Sequence, residues 1–471
     1  MLKKTAVLLM FSAWVCGAYA ADDDDDSVQR RLRFENREAV RGQEDQALSQ
    51  GQPESAAARA DGQEQWPLRL LAAVNRADAA QAERLLAEYR SLPDHDADFA
   101  DFVEASIFRL RGNYPQSLRR YRALLEKQPK FVRARLDYAR ALFDDRQTKE
   151  AHDQFGRLQQ EELPPAVRQN IDAYLNAAQV REGWHGSLAL GAVYNSNVRE
   201  TTGSLYCFDP FGLTCAQTPD PEKAYGLTYE APAEKYRALY GHHGLFARAA
   251  LYGTRYRHHP DSSDDTLGIS AGYRYASAKQ SWSLAPAAEW NRADSHLLYR
   301  SIGVHGEWQY NLSPKTALST EADHKIMRYG ENYSHNNGSL SSLYASLLYA
   351  PADAWLLYGG ASVQKRKTQN RPNSYHTHAF YAGGQYRFGN TASLRLQFSL
   401  RYRRYEAFNP WIQVRRYDRE QSYSATLKIP RWQIAGFTPV LTAKHTRVRS
   451  NADWLAGYRK NEISFKLERF F

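Results

Sequence analysis

Three groups of residues have types and spacings that could support chemistry. Cys207 and Cys215 flank seven residues in "CFDPFGLTC", a stretch rich in turn formers. In an oxidising compartment such a pair closes a loop disulfide; the alternative, a metal held by two thiols with no histidine nearby, lacks ligands. His376 and His378 in "YHTH", like the pairs His242-His243 and His258-His259, could chelate a metal but equally suit polar turns and loops, and no metal is assigned to them. The third group is basic: Arg395, Arg401, Arg403, Lys428 and Lys444 fall on one side of alternating segments. They suggest a basic inner wall, with Glu289, Glu321 and Asp323 available to pair with them across it. No phosphate loop, dinucleotide glycine motif, nucleophile elbow or metalloprotease helix is present, so the chain does not read as an enzyme and calls for no cofactor.

The elements that must position these residues change character along the chain. From residue 184 to 471 the hydrophobic period is two. In "SLRLQFSLRYR", Leu394, Leu396, Phe398, Leu400 and Tyr402 face one way and Arg395, Gln397, Ser399, Arg401 and Arg403 the other. Fourteen such segments suit strands of ~10 residues crossing a bilayer at a tilt. Tight turns at 277–280, 312–315, 350–353, 388–390 and 430–432 alternate with long polar loops at roughly 195–225, 257–265, 328–339, 365–376, 404–420 and 447–458. A soluble β-sandwich would not sort its turns by length in this way. Outer-membrane barrels do, with short turns periplasmic and long loops at the surface. Both ends of the barrel then lie on the periplasmic side, and the chain finishes on "NEISFKLERFF", whose alternation makes it the closing strand.

Before the barrel the period is helical. "ASIFRLRGNYPQSLRRYRALLEKQP" laid over "ARALFDDRQTKEAHDQFGRLQQEEL" aligns Ala105 with Ala139, Phe108 with Leu142, Ser117 with Ala151, Tyr121 with Phe155 and Leu124 with Leu158. This offset is the tetratricopeptide (TPR) spacing: small residues let two helices approach and the aromatic fills the next groove. Residues 66–180 are therefore a helical TPR domain. Its concave face would hold a protein segment, with Tyr114, Arg119, Arg135 and Tyr138 as groove candidates; a rigid spacer is the alternative. Residues 1–20 read as an export signal, with Lys3 and Lys4, an apolar stretch and the small-x-small site Ala18-Tyr19-Ala20. A lipoprotein reading of Cys16 is disfavoured by Val15 before it. Residues 21–65, opening on "DDDDD" and nearly free of aromatics, are expected to be mobile, with the acidic run solvated rather than bound to a basic partner.

Bulk composition agrees. A mean hydropathy of -0.67, with no long apolar run after the start, excludes a helical membrane protein. Aromatics make up 13% of the chain, with 31 Tyr and 10 Trp, which suits large carbohydrate-binding sheets or the interfacial girdles of barrels. A net charge of +10 could point to nucleic acid, but an exported barrel has no opportunity to meet it. The expected class is α+β multidomain: an N-terminal TPR domain followed by a fourteen-stranded antiparallel transmembrane barrel.

The terminal pattern of Phe465, Leu467 and Phe471 resembles the signal that the barrel-assembly machinery reads, although Arg469 stands where another aromatic is usual. Signal peptide, few TPR units and terminal barrel together resemble the surface lipoprotein assembly modulator family of Gram-negative bacteria. The likeness is carried most closely by "ALFDDRQTKEAHDQFGRLQQEELPP" (141–165) and "GFTPVLTAKHTRVRSNADWLAGYRKNEISF" (436–465). It covers nearly everything after about residue 66. The acidic segment lies outside it, and the cysteine pair looks like a feature of some members only. The resemblance implies an outer-membrane translocator that brings specific lipoproteins, or related secreted proteins, from periplasm to cell surface. Implied partners are the passenger lipoprotein, a periplasmic chaperone, the barrel-assembly machinery and outer-membrane lipid, with no nucleic acid. Rival readings are a TPR-barrel polysaccharide export porin and a diffusion porin, although the former would favour more repeats and an acidic lumen.

Overall fold

The computed structural model describes residues 14–51, 65–207 and 215–471. Lys3 and Lys4 of the export signal, the stretch 52–64 and the residues between the two cysteines lie outside that set. The helical part comprises α1 (Trp14–Ser49), α2 (Gln65–Asn75), α3 (Ala79–Arg90), α4 (Ala97–Leu110), α5 (Tyr114–Lys127), α6 (Val132–Asp144), α7 (Thr148–Leu158) and α8 (Pro165–Glu182).

The aligned repeat positions are the core of this module. Ala105, Ser117, Tyr121, Ala139, Ala151, Phe155 and Leu158 are all fully buried. Small side chains at 105 and 117 bring α4 and α5 close enough for the Ser117 hydroxyl to donate to the Ala105 carbonyl, 2.8 Å away. Tyr121 packs against Phe102 and Tyr138, and its hydroxyl lies 2.7 Å from Ser106 Oγ, so the buried phenol is satisfied. Phe155, one repeat later, stacks on Tyr174 of α8 at 5.0 Å between ring centroids. The aromatic thus fills the next helix's groove, as the repeat spacing predicts. Asp78 and Asp96 cap α3 and α4 through backbone N–H groups, and Gly112 ends the α4 turn at φ 73°.

One expectation fails here. Of the segment 21–65 expected to be mobile, residues 21–49 are not a mobile acidic tail: they belong to α1, a helix of 36 residues. A helix so polar on every side needs charged partners to be stable, and the rest of the chain supplies them.

The strands are β1 (Trp184–Asn195), β2 (Leu205–Cys207), β3 (Cys215–Gln217), β4 (Ala224–Tyr240), β5 (His243–Tyr256), β6 (Asp264–Ala276), β7 (Gln280–Ala293), β8 (His296–Ser313), β9 (Thr316–Tyr329), β10 (Gly338–Tyr349), β11 (Trp355–Thr368), β12 (Tyr375–Phe388), β13 (Ala392–Tyr405), β14 (Tyr417–Lys428), β15 (Thr438–Ser450) and β16 (Tyr458–Phe470). β1 and β4–β16 close into a fourteen-stranded barrel in which neighbours in sequence are neighbours in space. The last strand closes on the first, with Ser187 opposite Phe470 and Asn195 opposite Glu462. Even Phe471 exchanges both backbone hydrogen bonds with Gly186, each 3.0 Å. β2 and β3 form a separate hairpin in the first long loop, joined by the Cys207–Cys215 disulfide.

The outer face is apolar and exposed, including Leu190, Ile302, Leu343, Leu396, Phe465 and Phe471. Trp184, Trp282, Trp308 and Trp355 gather near the short-turn mouth as an interfacial girdle. Turn lengths alternate with two exceptions, one being the β14–β15 connection at 429–437, which is longer on the short-turn side than the tight turn expected at 430–432. β7 and β8 meet on the long-loop side through Asp294 and Ser295 alone, both at positive φ. That is the two-residue hairpin whose twist matches its strands, built without glycine.

Replacing Phe155 by alanine is expected to lower the stability of the helical module by ~3–5 kcal/mol, as for other fully buried aromatics. Denaturant unfolding followed by the helical circular dichroism signal checks this, with heat-modifiable migration of the barrel unchanged.

Candidate functional site in the barrel lumen

The lumen is occupied by α1. Val28 and Leu32, one turn apart, rest on Ala250 and Tyr252 of β5. Around this small apolar seat the contacts are polar or pair a guanidinium with a ring. Gln29 donates to Glu289 Oε2 at 2.5 Å, Arg31 pairs with Glu230 at 2.7 Å, and Arg33 pairs with Glu321 at 2.5 Å. Arg37 reaches both Glu307 and Glu321, at 3.3 and 3.4 Å. Arg30 lies over the Tyr344 ring, 3.4 Å from its centroid. On the opposite side Arg395 pairs with Glu35 and Glu38 of α1, at 3.2 and 3.3 Å. These contacts touch seven strands, β4, β5, β7, β8, β9, β10 and β13. Residues 28–38 rise about 15 Å through the pore, at ~1.5 Å per residue.

The wall is divided by charge. From β4 to β9 it carries Glu230, Glu234, Glu289, Glu307, Glu321 and Asp323; Arg248, Arg274 and Lys325 of the same arc neutralise part of them. His305 sits between Asp323 and Glu307, at 2.7 and 2.9 Å. The arginines of α1, with Lys466 of β16 at Glu230, supply the rest of the positive charge. The remaining arc, β11 to β16, holds the basic residues that the alternation pointed to. Arg395 serves α1, Arg401 pairs with Glu420 at 3.2 Å, and Lys428 pairs with Glu468 at 2.6 Å. Arg403 lies over the Tyr375 ring, and Lys444 stands in register with Ser424 and Glu462 on the lumen face.

Two expectations are thereby corrected. The inner wall is not uniformly basic, and Glu289, Glu321 and Asp323 do not pair with those basic residues across an open pore. Their partners are Gln29 with Lys325, Arg33 with Arg37, and His305 respectively. The lumen is too wide for side chains to span, and α1 fills the distance. Composition hid the helix. Its legible signals were the absence of proline from Trp14 to Ser49, the Val28/Leu32 spacing and the Arg31/Glu35 pair at i and i+4.

Below the pore α1 continues onto the helical module. Ala47 joins the TPR core, and Glu44 accepts from Arg181 at 3.2 Å and from Arg146 at 3.1 Å. Arg146 is one repeat after Gly112 and has the same left-handed backbone, φ 66°, in spite of its side chain. The module also seats directly on the short-turn mouth. Asp145 Oδ2 is 2.9 Å from the His242 ring, and the N–H groups of Gly241 and Ala238 donate to Glu150 and Glu182 at 2.6 and 2.8 Å. The four groove candidates have separate surroundings. Tyr114 is half-buried, and burial with Asp144 nearby pushes its phenol up to about 12. Arg119 is exposed beside Gln116, Arg135 folds onto the Pro129 carbonyl, and Tyr138 packs on Tyr121.

Burial alone would raise the Glu44 carboxyl, but Arg146 and Arg181 outweigh it and hold it below its ordinary 4.5. Burial and the nearby Arg146 push Arg181 down to about 10, which still leaves it charged at neutral pH. A carboxyl with a depressed folded value stabilises above its unfolded value and loses that contribution as pH falls through the folded one. Acidification below 4.5 should therefore release the lower end of α1 from α8. Glu44→Gln should cost about 3 kcal/mol at neutral pH, as for one lost partner of a buried pair, and should flatten the acid response. Hydrogen exchange of the amides near Glu44 against pH measures both.

Residues 184–471 match a family model described as surface lipoprotein assembly modifier, and residues 63–155 match the model of that family's N-terminal TPR repeats. The chain is 30% identical over 421 residues to a hemophilin secretion modulator of Acinetobacter baumannii, covering 85% of each chain. It is 27% identical over 406 residues to a surface lipoprotein assembly modifier of Moraxella catarrhalis, covering 83% of this chain and 77% of that one. Among solved structures, the CymD monoaromatic hydrocarbon channel gives a TM-score of 0.35 at 12% identity, over 63% of this chain and 90% of that one, too slight a likeness to carry weight. With one family model spanning the barrel and another the helical repeats, this chain belongs to the surface lipoprotein assembly modifier family and is an outer-membrane barrel bearing a TPR module.

Proposed function

We propose that the chain delivers a specific lipoprotein, or a related secreted protein, from the periplasm to the cell surface. Family membership and the names of its relatives support this reading, since those proteins are described as modifiers of surface lipoprotein assembly or of hemophilin secretion. The observation that carries it here is the seating of the TPR module on the short-turn mouth through Asp145, Glu150 and Glu182. Whatever the module holds is already at the pore entrance, so little translational freedom remains to be lost on entry.

In this reading the TPR domain lies in the periplasm and engages the passenger, alone or with a chaperone, through Tyr114, Arg119, Arg135 and Tyr138. The barrel then offers a polar route that spares the passenger's backbone groups the hydrocarbon core, where an unsatisfied group costs several kcal/mol. Phe465, Leu467 and Phe471 lie on the lipid face of β16, the face on which the barrel-assembly machinery would read them. The route requires no covalent step.

Co-expression with candidate lipoproteins, followed by protease treatment of intact cells, tests the reading. The full chain should expose one of them at the surface. The double variant Arg119→Glu/Arg135→Glu should reduce exposure several-fold while the barrel keeps its heat-modifiable migration. Exposure of no candidate, together with altered glycan secretion in a deletion strain, would replace it with the polysaccharide porin.

A further inference from the structure

The carboxylates of the β4–β9 arc are more numerous than the bases that the arc itself provides; Lys466 of β16 reaches Glu230, and the other partners come from α1, a segment that is not part of the barrel. That segment is held in the lumen by these polar contacts and at its lower end by Glu44 and Ala47 on the helical module. Between the lumenal and anchored halves lies Gly42, exposed and with nothing within 4 Å of where a Cβ would be. A glycine in mid-helix loosens the helix by roughly 0.5–1 kcal/mol relative to alanine, and here it lies where the helix has left one body and not yet reached the other.

We propose that the acidic arc of the lumen is a binding site for an arginine-bearing helical segment, that α1 is its resident occupant, and that a cationic stretch of the translocated polypeptide takes its place. The last clause rests on the proposed transport function; the first two do not. The site is defined by its occupant. Arg31, Arg33 and Arg37 present three guanidinium groups to Glu230, Glu307 and Glu321, and Arg30 adds a ring contact that tolerates any guanidinium of similar placement. An incoming segment with the same spacing would find the same carboxylates, while an acidic one would meet like charge. α1 can withdraw by bending at Gly42 without leaving the TPR module, so displacement and re-closure are intramolecular and reversible.

The test is conductance of the purified full-length protein in planar lipid bilayers. The wild type should conduct weakly, and Arg31→Gln/Arg33→Gln/Arg37→Gln should conduct several-fold more. A synthetic peptide of residues 28–49, added on the short-turn side, should close the variant again. The same peptide with Arg31, Arg33 and Arg37 changed to glutamine should not, and high salt should weaken closure by screening the pairs. A triple variant no more conductive than wild type, or closure that is equal with both peptides, overturns the proposal. Should the triple variant not fold, Arg31→Gln and Arg37→Gln singly leave the other pairs in place and carry the same test; no rise in conductance in either overturns it. If the peptide closes the pore but no lipoprotein reaches the surface in the co-expression assay, the site stands and the transport reading falls.

Discussion

The structure depends on the pairing of β16 with β1. A strand edge in lipid leaves backbone groups with no partner, so a membrane-spanning sheet must close on itself. Closure here extends to the last residue of the chain, whose N–H and carbonyl both bond to Gly186. Once the ring is closed, alternation does the rest: one side chain in two faces lipid and must be apolar, and the other faces a lumen that can hold charge.

A lumen bordered by fourteen strands is wide, and a wide polar lumen has to be filled either by water or by protein. In this chain it is filled by a helix whose own stability derives from the wall. The coupling works in both directions: α1 has almost no apolar stripe to hold it elsewhere, and the acidic arc has too few bases without it. Charge division of the wall therefore also fixes the helix's rotation, because Arg33 and Glu35 must look toward opposite arcs.

Much of this was legible in the sequence, for identifiable reasons. The repeat offset named the buried residues of the helical module because small and aromatic residues at those places have one packing solution. Strand number and chain-end position followed from a period of two and from turn length. Legibility failed where the partner was distant or the signal weak. The Asp294-Ser295 turn was missed because it lacks the glycine that usually marks a two-residue hairpin. Arg395 was given the wrong partner, since its carboxylates lie more than three hundred positions earlier. α1 was missed because aromatic-poor, charged composition ordinarily signals a chain that cannot bury enough to fold; here the burial is provided by another domain.

Arg146 shows how a repeat is adapted to a particular task. Its position corresponds to Gly112 in the preceding unit, where the left-handed turn is free of strain. Arginine there accepts about 1–2 kcal/mol of backbone penalty and in return extends a strut to Glu44. Nature has sacrificed the most comfortable residue at a joint to fasten the module to its pore. A consensus-based redesign that placed glycine there would relax the array as an isolated solenoid and leave Glu44 to Arg181 alone.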